Sequence, residues 1–236
     1  MKYQGSKNRH AKEILPIILK DRTEGQYFYD LFCGGMNLID KVDGNRIAND
    51  KHFYLIEMWK ALQEGWIPPR EISKCDYDSV KNNPELFADY LIGYIGFNGS
   101  YNGKYFGGYA GNVKIKDGSF RNYPREAYNN IIKQLPSIRD IIFSNKPYDE
   151  VALKPNSIIY CDIPYKNTTK YKTGDFDYDK FYQWCIEKHN EGHQVFISEY
   201  YMPEDKFECV WKKEVNSSLT KDTGSKKNIE KLFIIR

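Results

Sequence analysis

The chain has 236 residues, of which 41% are hydrophobic and 28% charged, with a formal net charge of +3. That composition suits an ordinary globular protein with one sizeable core and room for a smaller inserted module. No stretch approaches about 18 consecutive apolar residues, which excludes a membrane-spanning helix, and Met1 to Lys7 lacks the apolar run of a signal peptide, so a cytoplasmic protein is expected.

Taken in order, residues 7–20 read as an amphipathic helix with Pro16 as a kink or break. Residues 26–32 read as a strand that empties into Cys33-Gly34-Gly35. A second strand over 46–50 ends in Asp50 and is followed by a helix over 53–63. Alternating strands and helices of this length argue for a parallel sheet with right-handed crossovers. Residues 64–145 break the rhythm: a helix over 84–94 leads into a stretch from Gly96 to Tyr109 where Gly, Asn and aromatics alternate, the composition of a shaped loop or hairpin. A helix over 121–135 and a strand over 141–143 follow. The α/β pattern then resumes, with a strand over 157–161, a helix over 179–191, a strand over 194–198 and an apolar terminal strand over 231–235. This divides the chain into a first catalytic part (1–63), an inserted, mainly helical segment (64–140) and a second catalytic part (141–236).

The net charge permits a polyanionic partner without demanding one, and the basic residues cluster in the middle segment and near the C-terminus. The 20 tyrosines suit base stacking, and equally suit strands and cores. Five cysteines (Cys33, Cys75, Cys161, Cys185 and Cys209) are scattered without Cys-x-x-Cys spacing. They read as reduced structural thiols, with no zinc site expected. His189 and His193, four apart, are expected at the surface with no metal between them.

Two segments carry chemistry. Tyr160-Cys161-Asp162-Ile163-Pro164-Tyr165 ends a buried strand, and in an open parallel sheet ligands bind beyond the carboxyl ends of the strands. There Asp162 and the carbonyl of Ile163 could accept N–H bonds from a planar amine, rigid Pro164 would shape the turn and Tyr165 would stack on the ring. Such a run can also be a plain turn, and Cys161 beside it reads as packing rather than a nucleophile. In Asp30-Leu31-Phe32-Cys33-Gly34-Gly35, glycines directly after a strand allow close approach of a ligand to the backbone. Neither a Gly-x-Gly-x-x-Gly nor a Walker sequence is present, so a cofactor smaller than a dinucleotide, such as S-adenosylmethionine, fits. Asp50 could accept both ribose hydroxyls or could cap the next helix.

Together these segments resemble, in order, the Dam-type (D12 class, group alpha) site-specific DNA adenine-N6 methyltransferases, of the compact form phages carry. Tyr3-Gln4-Gly5-Ser6-Lys7 resembles the family's N-terminal segment, Asp30 to Gly35 its glycine turn and Asn49-Asp50 its ribose-binding acid. Phe97-Asn98-Gly99 with Tyr105 to Tyr109 is similar to its target-recognition loop. Asp162 to Tyr165 resembles its catalytic motif, Ile197 to Tyr200 with Pro203 the next strand, and Glu230 to Phe233 the last. Met36 stands where a third glycine often sits.

The resemblance implies a Rossmann-like sheet with an inserted target-recognition domain, S-adenosylmethionine as cofactor and double-stranded DNA as substrate, with no obligate protein partner and a monomeric enzyme. It implies catalysis by Asp162, Ile163, Pro164 and Tyr165 on an adenine flipped out of the duplex, with no covalent intermediate. It also implies cofactor contacts from Tyr3, Lys7, Asp30, Phe32, Cys33, Gly34, Asp50 and Asp162. Taken by itself, Lys7 reads as a solvated lysine; in the family's place it reaches the cofactor or the catalytic carboxylate. Lys104, Lys114, Lys116, Arg121 and Arg125 are candidates for phosphate contacts or ordinary surface, and Asn98, Ser100, Tyr101 and Asn102 for base edges. Two alternatives stay open: an amino-methyltransferase acting on cytosine N4 or RNA, and a non-catalytic DNA-binding protein on the same scaffold.

Overall fold

A computed structural model describes residues 1–115, 117–165, 176–216 and 227–236. Its centre is a strand buried on every residue, β1 (Phe28–Asp30), flanked by β2 (Arg46–Asn49) on one side and β6 (Ile158–Asp162) on the other. Together with β5 (Ile141–Ser144) and β7 (Gln194–Glu199) these strands run parallel, and β9 (Lys227–Ile235) and β8 (Phe207–Asn216) complete the sheet antiparallel, in the order β5-β2-β1-β6-β7-β9-β8. The result is a mixed α/β fold with a mainly parallel central sheet. β1, β6 and β7 are covered on both faces, which is why they read as near-continuous apolar runs. The chain leaves β1 toward β2 and β5, then returns to the far side of β1 for β6 and β7. Strand order therefore reverses between β1 and β6, where Asp30 pairs in register with Tyr160. A crevice outside the carboxyl ends at such a reversal is where open α/β sheets hold ligands.

One face of the sheet is covered by α1 (Ala11–Ile18), α2 (Phe53–Gln63) and α4 (Asp89–Asn98), whose Ile14, Ile18, Leu55, Trp59, Ile92 and Tyr94 share a core with Phe28 and Ile158. The other face is covered by α6 (Tyr178–Asn190), whose Phe181, Trp184 and Cys185 pack on Tyr29, Ile159, Cys161 and Ile197. Between α2 and β5 come α3 (Lys74–Asn82), α4, a short antiparallel pair β3 (Asn112–Lys114) and β4 (Phe120–Asn122), and α5 (Tyr123–Gln134). These elements are not separately cored, since Tyr77, Ile95, Phe97 and Ile131 join the same cluster as Leu55 and Trp59.

Several sequence expectations shift. Helix 84–94 is a single 3-10 turn (Pro84–Leu86) followed by α4, which runs on to Asn98 and absorbs the start of the expected loop. Because α4 is buried nearly all round, it shows no apolar stripe. The terminal strand begins at Lys227, and its edge partner β8 has no counterpart in the sequence reading. His193 is buried, not surface-exposed: its Nδ1 accepts the Ser157 N–H at 3.1 Å, and burial lowers its pKa. Cys33, Cys161 and Cys185 are buried free thiols, whereas Cys75 and Cys209 are exposed rather than packed. Among the described residues no helix is long and apolar enough to cross a membrane.

Candidate active site at the strand-order reversal

β6 ends at Asp162 with the side chain still 21% exposed, while its neighbours Cys161 and Ile163 are buried. Lys7, in a 3-10 turn (Lys7–Arg9) capped by the Ser6 side chain, projects into the same place. Its Nζ lies 2.8 Å from Asp162 Oδ1 and 3.6 Å from Glu230 Oε2, donates to the Gly5 carbonyl at 3.3 Å, and stands 4.6 Å from the centre of the Tyr165 ring. Tyr165 donates its phenolic proton to Glu230 Oε2 at 2.6 Å and meets Tyr200 edge to face at 4.3 Å. The turn leaving the motif is fastened by Tyr178, which donates to the Pro164 carbonyl at 2.8 Å.

Electrostatics follow from this geometry. Burial pushes the Asp162 carboxyl up to about 6 against the downward pull of the Lys7 ammonium. Burial alone would lower Lys7, but the facing Asp162 and Glu230 carboxylates outweigh it, and its pKa is raised. Above about pH 6 the site therefore presents an ionised carboxylate acceptor braced by a cation. Cys161, beside it, is fully buried, and burial drives its thiol far up, so it is held as a neutral packing group rather than a thiolate.

The glycine turn lies across the reversal, at the end of β1. Cys33 N–H donates to the Asn49 carbonyl, Gly34 N–H to Asp50 Oδ2 at 3.0 Å, and Trp59 Nε1 to the Gly34 carbonyl at 3.1 Å. Gly34 has φ +45°, and a Cβ there would lie 2.5 Å from Tyr3 Cε1. The aromatic ring at position 3 thus lies directly on the turn. Met36 also adopts a positive φ, +60°, keeping the backbone conformation that glycine favours. Asp50 accepts a second backbone N–H, from His52, on Oδ1 at 2.9 Å. Burial raises its pKa while those two donors lower it, and a carboxylate so held keeps two further acceptor positions. Asp30 is buried with Oδ1 lacking any hydrogen-bond partner, and its pKa stands well above the usual range because of burial and the charge of Asp162.

An orphaned buried oxygen at Asp30, a backbone cradle with no room for a Cβ, and a pinned carboxylate at Asp50 are the donor and acceptor set that S-adenosylmethionine needs: a partner for an ammonium, a close approach and a partner for a ribose diol. Phe32 lies half-buried against Tyr148 at 5.7 Å and Phe181 at 6.2 Å, and Cys33 is buried in the core, so these two shape the turn from beneath.

The residues expected to meet DNA divide. Asn98 and Ser100 are not at the surface: Asn98 Nδ2 donates to the Tyr94 carbonyl, and Ser100 Oγ donates to the Gly96 carbonyl at 2.7 Å. Extension of α4 to Asn98 is the cause. Tyr101, Asn102, Lys104 and Lys114 are exposed. Arg121 is exposed but grips Glu126 with two hydrogen bonds, at 2.6 and 2.9 Å, and Arg125 pairs with Glu71. Lys116 lies outside the described residues. Lys2, Asn98, Ser100, Asn102 and Arg121 line one cleft of about 160 Å³.

The sequence reading gave no role to the side chains that brace the site: Glu230 on Tyr165 and Lys7, Tyr178 on the Pro164 carbonyl, and Asn49 (Nδ2 to the carbonyls of Leu31 and Lys146) and Trp59 on the glycine turn. Glu230 entered the sequence reading only as the start of the terminal strand; a carboxylate bordering the apolar run 232–235 says nothing of its partners.

Residues 3–91 match the family model of D12 class N6 adenine-specific DNA methyltransferases. The matched segment carries Tyr3, Lys7, the glycine turn and Asp50, and it ends before Asp162. Over that segment the chain is similar to the D12 class N6 adenine-specific DNA methyltransferases.

Proposed function

We propose that this protein transfers a methyl group from S-adenosylmethionine to N6 of adenine in double-stranded DNA. The observation that carries this reading is Asp162: a partly open carboxylate at the strand-order reversal, braced by Lys7 and flanked by Tyr165, opposite the glycine turn. The cofactor, when bound, supplies an electrophilic methyl group. The protein's residues do the rest by holding and orienting. Asp30, Gly34 and Asp50 bind, with Tyr3 closing over the turn.

An adenine in a duplex hides its reactive edge, so it is flipped out at a cost of a few kcal/mol, and stacking on Tyr165, worth ~1–3 kcal/mol, offsets part of that. The N6 lone pair is delocalised into the ring and is a weak nucleophile. Asp162 and the Ile163 carbonyl, accepting from N6–H, favour a more tetrahedral nitrogen and stabilise the positive charge that develops there. Lys7 keeps Asp162 ionised and in place. Holding donor and acceptor at contact distance supplies the remainder.

The test is to express the gene in a host free of DNA methylation and map modified bases by long-read sequencing, alongside Asp162→Ala in a tritiated-methyl assay on the purified protein. N6-methyladenine in a defined sequence, abolished in a folded Asp162→Ala variant, is the expected result. Near-normal turnover of that variant, or no modified adenine with the wild type, overturns the reading.

A further inference from the structure

We propose that Glu230 is the positioning residue for Tyr165. Its carboxylate takes the phenolic hydrogen bond and thereby sets the plane of the ring on which the substrate base stacks, a role that rests on the function proposed above.

The backbone explains why such a residue is needed. Hydrogen-bonded pairing of β6 with β7 ends at Asp162, opposite Ser198, so Tyr165 stands three residues beyond the last ladder position. Its ring is therefore oriented by side-chain contacts. The Lys7 ammonium at 4.6 Å and the Tyr200 ring at 4.3 Å constrain the ring's faces and edge, but neither contact is strongly directional. The bond to Glu230 is: at 2.6 Å it is a short, charge-assisted O–H···O contact that fixes the far end of the ring.

Glu230 is itself well placed to act as a fixed point. It sits on β9, paired on one side with Lys213 of β8, and its side chain is only 13% exposed. A carboxylate taken that far out of water stays only where it is hydrogen-bonded or paired, and here Oε2 accepts from the Tyr165 hydroxyl and faces the Lys7 ammonium at 3.6 Å. One strand thus steadies both the stacking residue and the cation that braces Asp162. Glu230 bonds Tyr165 and faces Lys7, and its charge raises the pKa of Asp162, so it acts through its neighbours and is not itself catalytic.

The experiment uses the full chain and four variants: Glu230→Ala, Glu230→Gln, Tyr165→Phe and the double Glu230→Ala/Tyr165→Phe. In a tritiated-methyl assay with unmethylated duplex DNA, Glu230→Ala is expected to lower kcat about tenfold or more, the scale of one hydrogen bond to a charged acceptor, with KM for the cofactor within about twofold. Tyr165→Phe is expected to lose a similar factor. The double variant should lose clearly less than the product of the two single losses, because both singles remove the Tyr165–Glu230 bond. Glu230→Gln keeps an acceptor oxygen and should recover part of the loss. In parallel, the ¹³Cζ resonance of Tyr165 in tyrosine-labelled protein, assigned by its disappearance in Tyr165→Phe, should move in Glu230→Gln.

Losses that multiply in the double variant, a defect confined to cofactor KM, or an unmoved Tyr165 resonance overturns the assignment. If the wild type transfers no methyl group, the proposed function fails, and the resonance decides separately whether Glu230 sets Tyr165.

Discussion

Replacing Lys7 with Met tests the electrostatic core of the site. The Lys7 side chain is 7% exposed and its Nζ lies 2.8 Å from Asp162 Oδ1. At that range an opposite charge depresses a carboxyl by about one to three pH units, yet burial still leaves Asp162 at about 6. Without Lys7, and with Glu230 remaining nearby, Asp162 should titrate about two pH units higher, near pH 8. The direction matters. Ionised Asp162 balances the positive charge that develops at N6, and protonation removes its negative charge and turns one oxygen into a donor, so activity is lost as pH falls through its pKa, and raising that pKa moves the loss to higher pH. At pH 7 the ratio of ionised to neutral form changes from about 10:1 to about 1:10. kcat/KM should then fall about tenfold at pH 7 and recover by about pH 9.

A kcat/KM profile between about pH 5.5 and 9.5 reads this directly. Removing one partner of a buried pair also costs about 3 kcal/mol, which for a chain of this size lowers Tm by about 6–12 °C. An acid limb that stays near pH 6 in Lys7→Met, or a loss equal at every pH, refutes the reasoning and assigns Lys7 to some other contact.

Gly34→Ala places a Cβ 2.5 Å from Tyr3 Cε1 at φ +45°, so it should cost about 1–3 kcal/mol in thermal unfolding and weaken S-adenosylmethionine binding in calorimetry. Wild-type behaviour in both would remove the turn from the site. Glu126→Gln breaks the contacts that hold Lys2 at 2.6 Å and Arg121 at 2.6 and 2.9 Å, and should tighten DNA binding at low salt and steepen its salt dependence by up to about two phosphate contacts. Arg121→Gln should act in the opposite direction. Salt slopes that do not respond to either change would send the DNA across another face.

The strands that end at the crevice were legible because their signals are local. β1, β6 and β7 are apolar runs that stop at Asp30, at Asp162 and at Ser198-Glu199. What escaped the sequence depends on tertiary packing. β8 shows no clean period-2 alternation: Cys209-Val210-Trp211 runs together, Lys212-Lys213 follows in the middle, and the register shifts between Cys209 and Trp211. α4 has apolar residues on every side, so the stripe that marks a helix is missing, and Asn98 was read as loop. His193 looks like a surface residue until the Ser157 N–H 36 positions away needs an acceptor. Glu230 reaches Tyr165 across 65 residues, and no local pattern encodes that meeting.

The same packing also joins the two ends of the site. Tyr3, whose ring lies on Gly34 and Gly35, stands 5.6 Å from Phe97. His52, whose N–H pins Asp50, meets Phe97 at 5.0 Å and Tyr105 at 4.4 Å. Gly103 approaches the Lys2 carbonyl so closely that any Cβ would collide with it. The segment from Phe97 to Tyr105, which precedes the exposed hairpin of β3 and β4, is therefore seated on the same residues that shape the glycine turn and hold Asp50. Phe97 thus touches both the ring that lies on Gly34 and the histidine whose N–H pins Asp50, so a change of volume at Phe97 reaches both sides of the turn, because close-packed aromatic contacts of this kind have little room to yield.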